Sequence, residues 1–515
     1  MKKIFLSTAI TFACIAGLSA QATEFDAIRM AQTDIIGTAR YMGMAGAFGA
    51  LGGDVSAIRD NPAGLGIYRS SEVTATFNIA TQRANANWGG QNAHDDRFGF
   101  GFNNVALVLS SPTWNNRAGG TTGLLQSNWG FSYNRVRDFN RNVTVRGRDI
   151  GSSLTNYLAD FTGANSHATF DRLNVSGQAF EDLFGDSRLG WNSLLAFEAG
   201  LIDYDNGVWE SSFFQPGLGH TADVLYNLRE SGHIDEFSFS WGGNFSNRLY
   251  FGASLNITSI HYDKTVNFEE RYSFAPASAY PLHASNTFST RGNGFNMNFG
   301  VIARPIDQLR LGLSYRTPTL YSIRHQQSDA HLDGFDAPNN AFFDYNVRTP
   351  GQLTASAGYI FGRRAMIGAD VSYINFRSTR LFDHNNSSLH YADTNDAMRR
   401  DLNGSVLAKI GAEYRLTDNL SLRAGAAKQT AVMSSGAAME PMLNTIRLDT
   451  DYFIHRGTTH FTAGLGYRSG SWYFDAAFVN RNFIEDFMPY ATAAMSPARV
   501  VTRNYDVVAT IGFRF

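Results

Sequence analysis

Twelve histidines are the first candidates for chemistry in this chain of 515 residues, and their spacing argues against it. No two stand at i and i+2, the separation that puts two imidazoles on one face of a strand. A metal or haem role for His455 and His460 therefore has no pattern behind it. There is no Gly-x-Ser-x-Gly elbow and no His-Glu-x-x-His pair, so nothing marks a nucleophile or a zinc base. Gly43, Gly46 and Gly49 are spaced closely enough to suggest a phosphate loop, but no strand precedes them and no βαβ unit follows. The expectation is a protein without catalytic residues, without a metal and without a cofactor.

The elements that would position any site are strands. Lys2 and Lys3 precede an apolar run from Ile4 to Ala16, and Leu18-Ser19-Ala20 offers small residues for cleavage, so residues 1–20 read as a secretory signal peptide. The only cysteine, Cys14, falls inside that run, where Thr11-Phe12-Ala13 lacks the leucine of a lipoprotein box. Disulfides and thiol chemistry are thereby excluded from the mature chain. With 43 basic and 45 acidic residues the balance is near neutral, which gives no support for nucleic-acid binding. Past the leader no apolar run is long enough for a membrane helix.

Alternation carries the fold. Phe295, Met297, Phe299, Val301 and Ala303 alternate with small or polar residues up to a turn at Pro305-Ile306-Asp307; Leu309, Leu311, Leu313 and Tyr315 then alternate back. Fourteen such segments can be counted, from 72–80 through 235–246 to 503–515. Each is near the nine to eleven residues of a tilted membrane strand, and the number is even. The apolar face of such a barrel points to lipid, which leaves Arg310, Arg316, Asp370, Lys409, Glu413, Arg423, Asp475 and Asp506 pointing into the lumen. Two roles stand for these charges: pairing with one another and with whatever fills the lumen, or meeting a ligand carboxylate. Short links mark the periplasmic end, with Tyr250, Phe251, Tyr359, Phe361, Tyr414, Tyr467, Trp472 and Tyr473 beside them as an aromatic girdle.

The lumen of fourteen strands is too wide for wall side chains to fill. The stretch from Gly37 to Gly66, GTARYMGMAGAFGALGGDVSAIRDNPAGLG, supplies a filling, being rich in short residues and lying just before the first strand. With Asn61-Pro62-Ala63 near its end, it resembles the amino-terminal hatch of the long-chain fatty acid transporter (FadL-type) family of outer-membrane proteins. The resemblance covers about thirty residues. It implies an all-β, 14-stranded antiparallel transmembrane barrel at 72–515 in the bacterial outer membrane, with residues 21–71 as the hatch and a long helix-containing extracellular insertion at 137–234.

The same resemblance implies uptake of hydrophobic small molecules, fatty acids by default, with lateral exit through a gap made by a kink in the third strand. Gly130 and Phe131 lie on that strand; Gly130 either marks the kink or makes room for the hatch. Phe48, Asn61, Pro62 and Ala63 belong to the hatch, Asn61 as the residue that anchors it. The carboxy-terminal Phe515 ends an alternating strand, as a substrate of the barrel assembly machinery does. Within the insertion, Phe180, Leu183, Phe184, Leu194, Leu195, Phe197, Leu201 and Trp209 have helix-like spacing, as do residues 222–228. They form either an apolar landing groove or the insertion's own core. A gated porin for polar solutes, a structural or adhesive barrel, and an outer-membrane phospholipase are the alternatives.

Overall fold

The computed structural model describes residues 22–274, 281–338, 341–434, 443, 445–492 and 495–515. The expected signal peptide lies outside the described residues. The wall consists of fourteen strands, in order Glu72–Trp88, Gln91–Pro112, Leu124–Asp138 (resumed as Arg141–Ile150), Ala222–Phe245, Leu249–Tyr272, Leu282–Ala303, Leu309–Arg316 (resumed as Leu320–Leu332), Ala341–Arg348 (resumed as Gln352–Phe361), Ala365–Asn375, Gly404–Arg415, Leu420–Thr430, Tyr452–Ser469, Trp472–Met488 and Ala498–Arg514. Every neighbouring pair is antiparallel, and the first strand closes the ring on the fourteenth, Glu72 opposite Arg514 and Asn87 opposite Arg499.

Several strands run far past the segments the alternation marked. The fourth starts at Ala222 rather than near residue 235, and residues 222–228, expected as helix, are strand. The reason is a change of solvent. In the lower half apolar residues face outward: Phe237 is 48% exposed and Ile257 47%. Above that level the phase inverts, and Val224, Tyr226, Leu228, Ile234, Ile260 and Tyr262 are buried inside the ring. A strand whose outer face meets lipid must be apolar outside, whereas one that meets water must be apolar inside. The inversion hides the extension from any single alternation template. The first hairpin shows the same effect: its strands continue to a two-residue turn at Gly89-Gly90, both with positive φ, as a type I′ turn requires.

Short links at 246–248, 304–308, 362–364, 416–419 and 470–471 sit at the opposite end. Beside them Tyr359, Phe361, Tyr414, Tyr467 and Trp472 are exposed, as expected of a girdle. Tyr250 is not part of it: it is buried and packs on Ala63 and Ile302 inside the barrel. The insertion after the third strand folds into helices Leu154–Ala164, Phe170–Leu173, Gln178–Glu181 and Trp191–Glu198 and a small hairpin. Phe180, Phe184, Leu194, Leu195, Leu201 and Trp209 are all buried in its core, with Leu183 and Phe197 packed against them. These residues make no open groove.

Candidate functional site

The amino-terminal segment begins at the extracellular end and descends through the lumen. Helix Glu24–Ala31 opens with a capping box, Thr23 to Asp26, and Asp26 is also ion-paired with Arg447. The second helix, Ala39–Gly43, is capped by Thr38, whose hydroxyl donates to Asp54 at 2.9 Å. After it the chain doubles back through positive φ at Ala45 and Gly46 and again at Gly52 and Gly53. That is why so many short residues are needed here: a helix would not turn within this width.

The wall makes room with glycine. Gly242, Gly252 and Gly300 stand opposite one another on successive strands. Gly358, Gly368, Gly411 and Gly425 form a second unbroken row. A Cβ at Gly252 would lie 2.7 Å from Ala63 N, at Gly312 2.8 Å from Gly49 O, and at Gly425 2.7 Å from Ala45 N. Segment and wall therefore meet backbone to backbone around most of the ring. Gly130 is not one of this set, since a Cβ there would make only ordinary contact, at 3.4 Å, with the side chain of Leu65.

Polar contacts hold the same seam. Asn61 Nδ2 donates to Gly49 O at 2.8 Å and to Val301 O on the wall at 3.3 Å, while Oδ1 accepts from Ala63 N at 3.1 Å and caps the turn Pro62–Ile67. Lys409 Nζ lies 2.6 Å from Asp60 and 3.5 Å from Asp370, whose carboxylate accepts from Gly49 N. Arg423 joins Glu413 and Asp475, at 2.6 Å each, and Glu413 also holds Arg40 of the segment at 2.9 Å. Arg316 reaches Glu236 at 2.6 Å, and Arg310 donates to Leu51 O. Buried charges are tolerated when paired in this way. Phe48 is buried beside Tyr41, ring centroids 6.1 Å apart, within the segment's own core.

The wall is interrupted at one place. The third strand pairs with the second from Pro112–Gln126 up to Asn104–Asn134, and no further. Above that, residues 91–102 of the second strand pair with the first strand alone, Asn103 being the extra residue of a bulge. The third strand bends away through a register shift at Arg135–Arg137 and a two-residue break at Phe139-Asn140, staying on the fourth strand throughout. A bulge faces the break, where Asn103 and Asn104 together meet the step from Thr76 to Phe77. Gly130 is not the kink: its ladder runs unbroken to Val108 and Ser240. Phe131 does not gate the lumen either, being 40% exposed on the outer face against Phe239.

Arg97 crosses the gap. Its guanidinium donates to Glu230 O at 2.6 Å and Asn140 Oδ1 at 3.0 Å on the far rim. Phe98 and Phe100, each 71% exposed, flank it toward the lipid. Behind lies a cavity of about 230 Å³ lined by both rims together with Ile35, Ile36 and Met42 of the segment. It adjoins a second of about 120 Å³ lined by Phe25, Ile28, Arg137, His455, His460 and Phe483 among others. Arg137 Nε and both ring nitrogens of His460 are buried there without a hydrogen-bond partner among the described residues. No group of three potential metal ligands occurs among the described residues. Sequence reasoning missed Arg97 and Arg137; the signal for the break was the mixed-charge run from Arg135 to Asn142, which contains neither glycine nor proline.

A closed antiparallel barrel with a lipid-facing apolar band defines the class: a bacterial outer-membrane protein. Among solved structures, the chain is similar to a Pseudomonas aeruginosa FadL homologue at 12% identity and TM-score 0.54, with 94% of this chain and 99% of that one covered. The toluene transporters TbuX of Ralstonia pickettii (12% identity, TM-score 0.47, 93% and 99% covered) and TodX of Pseudomonas putida (13%, 0.46, 94% and 98%) also match. The first of these likenesses places the fold with the FadL-type barrels. No family model and no curated protein matches the sequence.

Proposed function

We propose that this barrel takes up hydrophobic small molecules across the outer membrane, long-chain fatty acids or similar amphipathic compounds fitting best. In this reading cargo enters from outside, rests against the amino-terminal segment, which acts as a hatch, and leaves sideways into the membrane. The observation that carries the reading is the unpaired rim of the second strand above Asn104, with the larger cavity directly behind it. A lateral exit suits a molecule whose tail prefers lipid to water, and the exposed phenylalanines at the rim continue that apolar path. Arg137 Nε offers a buried donor to the polar head of an amphipathic cargo, among lining charges of both signs that include Asp34, Asp138, Glu230 and Glu485. A porin for polar solutes is disfavoured by the backbone contact between segment and wall along the fourth to eleventh strands, which narrows the bore.

The test is to bridge the gap. An Arg97→Cys/Asn140→Cys pair joined by a cleavable thiol linker should cut uptake of labelled palmitate at least tenfold relative to the unlinked pair, and cleavage should restore it. Unchanged palmitate uptake in the linked barrel, or faster passage of a polar sugar than of palmitate in the wild type, would overturn the proposal.

A further inference from the structure

The outer surface carries a cluster of arginines at the upper edge of the lipid-facing band, and none of its core members has a carboxylate partner among the described residues. Arg348 ends the upper part of the eighth strand. On one side it stands opposite Leu320, and on the other opposite Arg380 of the short strand Arg380–Asp383. Arg377 lies in the turn Phe376–Ser378 just before it. Arg380 donates to Arg377 O at 2.7 Å and Thr379 O at 2.6 Å, and Arg377 Nε donates to Leu402 O at 2.7 Å. These are carbonyls, which neutralise no charge. Besides its partial burial, Arg380 feels two neighbouring positive charges, Arg399 and Arg348. The one carboxylate on the short strand, Asp383, faces His390 at 3.0 Å. Among the described residues no ion pair reaches Arg348, Arg377 or Arg380.

Height fixes what this cluster meets. Leu320 is 44% exposed and pairs with Phe295, itself 49% exposed, so both belong to the lipid-facing band. One residue along, Val347 is buried inside the ring, which marks the change from lipid to water. Arg348 therefore stands at the level of the outer-leaflet head groups. Two arginines directly opposite on neighbouring strands repel, and an anion shared between them would relieve that repulsion. A guanidinium fork matches a phosphate with two parallel hydrogen bonds.

We propose that Arg348, Arg377 and Arg380 form a binding site on the outer wall for the phosphate of an outer-leaflet lipid. The site is separate from the proposed exit, since it lies on the eighth strand and the short strand beside it, whereas the break lies between the second and third strands.

Native mass spectrometry of the barrel in detergent, with added diphosphorylated lipid A or its dephosphorylated counterpart, tests it. The wild type should retain the phosphorylated lipid at least tenfold better than the dephosphorylated one. Arg348→Gln/Arg380→Gln should lose that preference, while Arg324→Gln, which breaks the exposed pair with Asp344, should keep it. Heat-modifiable migration on gels reports whether the double variant is folded; should it not fold, Arg348→Lys/Arg380→Lys takes its place, with a drop of about threefold expected from the loss of the forks. Equal retention of both lipids, full preference in the folded variant, or complete displacement by millimolar inorganic phosphate would overturn the proposal.

Discussion

Gly425→Ala isolates the seam between the amino-terminal segment and the wall. The added methyl would lie 2.7 Å from Ala45 N and 2.8 Å from Met44 O, both backbone atoms. Met44 C lies closer still, and ordinary contacts of this kind are about 3.5 Å, so segment and wall must part by about 1 Å. Ala45 cannot readily yield, because it already holds φ 51° in a turn between a helix end and Gly46. Overpacking of this sort costs about 1–3 kcal/mol. If the strain is relieved when the segment lets go, its release becomes about 5 to 150 times more frequent, at tenfold for each 1.4 kcal/mol. The readout is the frequency of open events for single barrels in planar bilayers. The control is Gly99→Ala, where a Cβ meets nothing within 4 Å; there the swap is neutral or favours the strand. Identical traces for the two variants would refute the idea that backbone contact holds the segment.

Four further outcomes are expected. Asn61→Ala removes bonds to Gly49, Val301 and Ala63, costs about 2–4 kcal/mol, and should raise the open-event frequency further than Gly425→Ala does. Arg97→Ala should speed amide exchange in residues 97–103 at least fivefold, with little change at residues 104–112, whose ladder is intact. Deleting residues 31–53 should raise ionic conductance, and a silent deletion would remove the plug idea. Glu270 gives a pH dependence outside the membrane. Burial pushes its carboxyl up to about 7, although Ser153, Leu154 and Tyr490 donate to it. Because the folded value is raised, its contribution to holding helix Leu154–Ala164 is fullest below pH about 4.5. It declines by up to about 3 kcal/mol as pH rises through about 7, above which both states are ionised. Exchange protection of that helix should therefore fall between pH 5 and 8, and Glu270→Gln should flatten the profile.

The membrane half of the wall was legible because lipid imposes one rule on every strand: Phe295 to Ala303 and Leu309 to Tyr315 alternate as they must. The extracellular half was not, since Val224, Tyr226 and Leu228 follow the opposite rule and pass for helix when read together with Leu225. The short residues around Asn61-Pro62-Ala63 gave the expectation of a filling, and in the structure Pro62 and Ala63 lie against the wall at Gly252. The glycines opposite it, such as Gly252, Gly300 and Gly411, stood at lumen positions of their strands and could have been read as its footprint. Gly130 drew attention as the unusual residue of the third strand, yet the break lies where ordinary polar residues lose a neighbour. That loss is a matter of register between strands, which no single segment encodes. Phe180 and Trp209 were equally open between groove and core, because spacing along a helix does not say what covers it.

The inversion of apolar faces along the wall also works as a waterline. Strand residues rise about 3.3 Å each, or about 2.5 Å along the normal of a tilted barrel, so sinking the barrel by about 10 Å would draw Arg291, 44% exposed and four residues beyond the lipid-facing Phe295, into hydrocarbon. Raising it equally would lift Phe237 and Ile257 into water. Neither displacement is compensated on the inner face, where the change of polarity falls at the same height. The molecule therefore sets its own draught, and a bilayer of different thickness must pucker or stretch to meet the protein rather than the reverse.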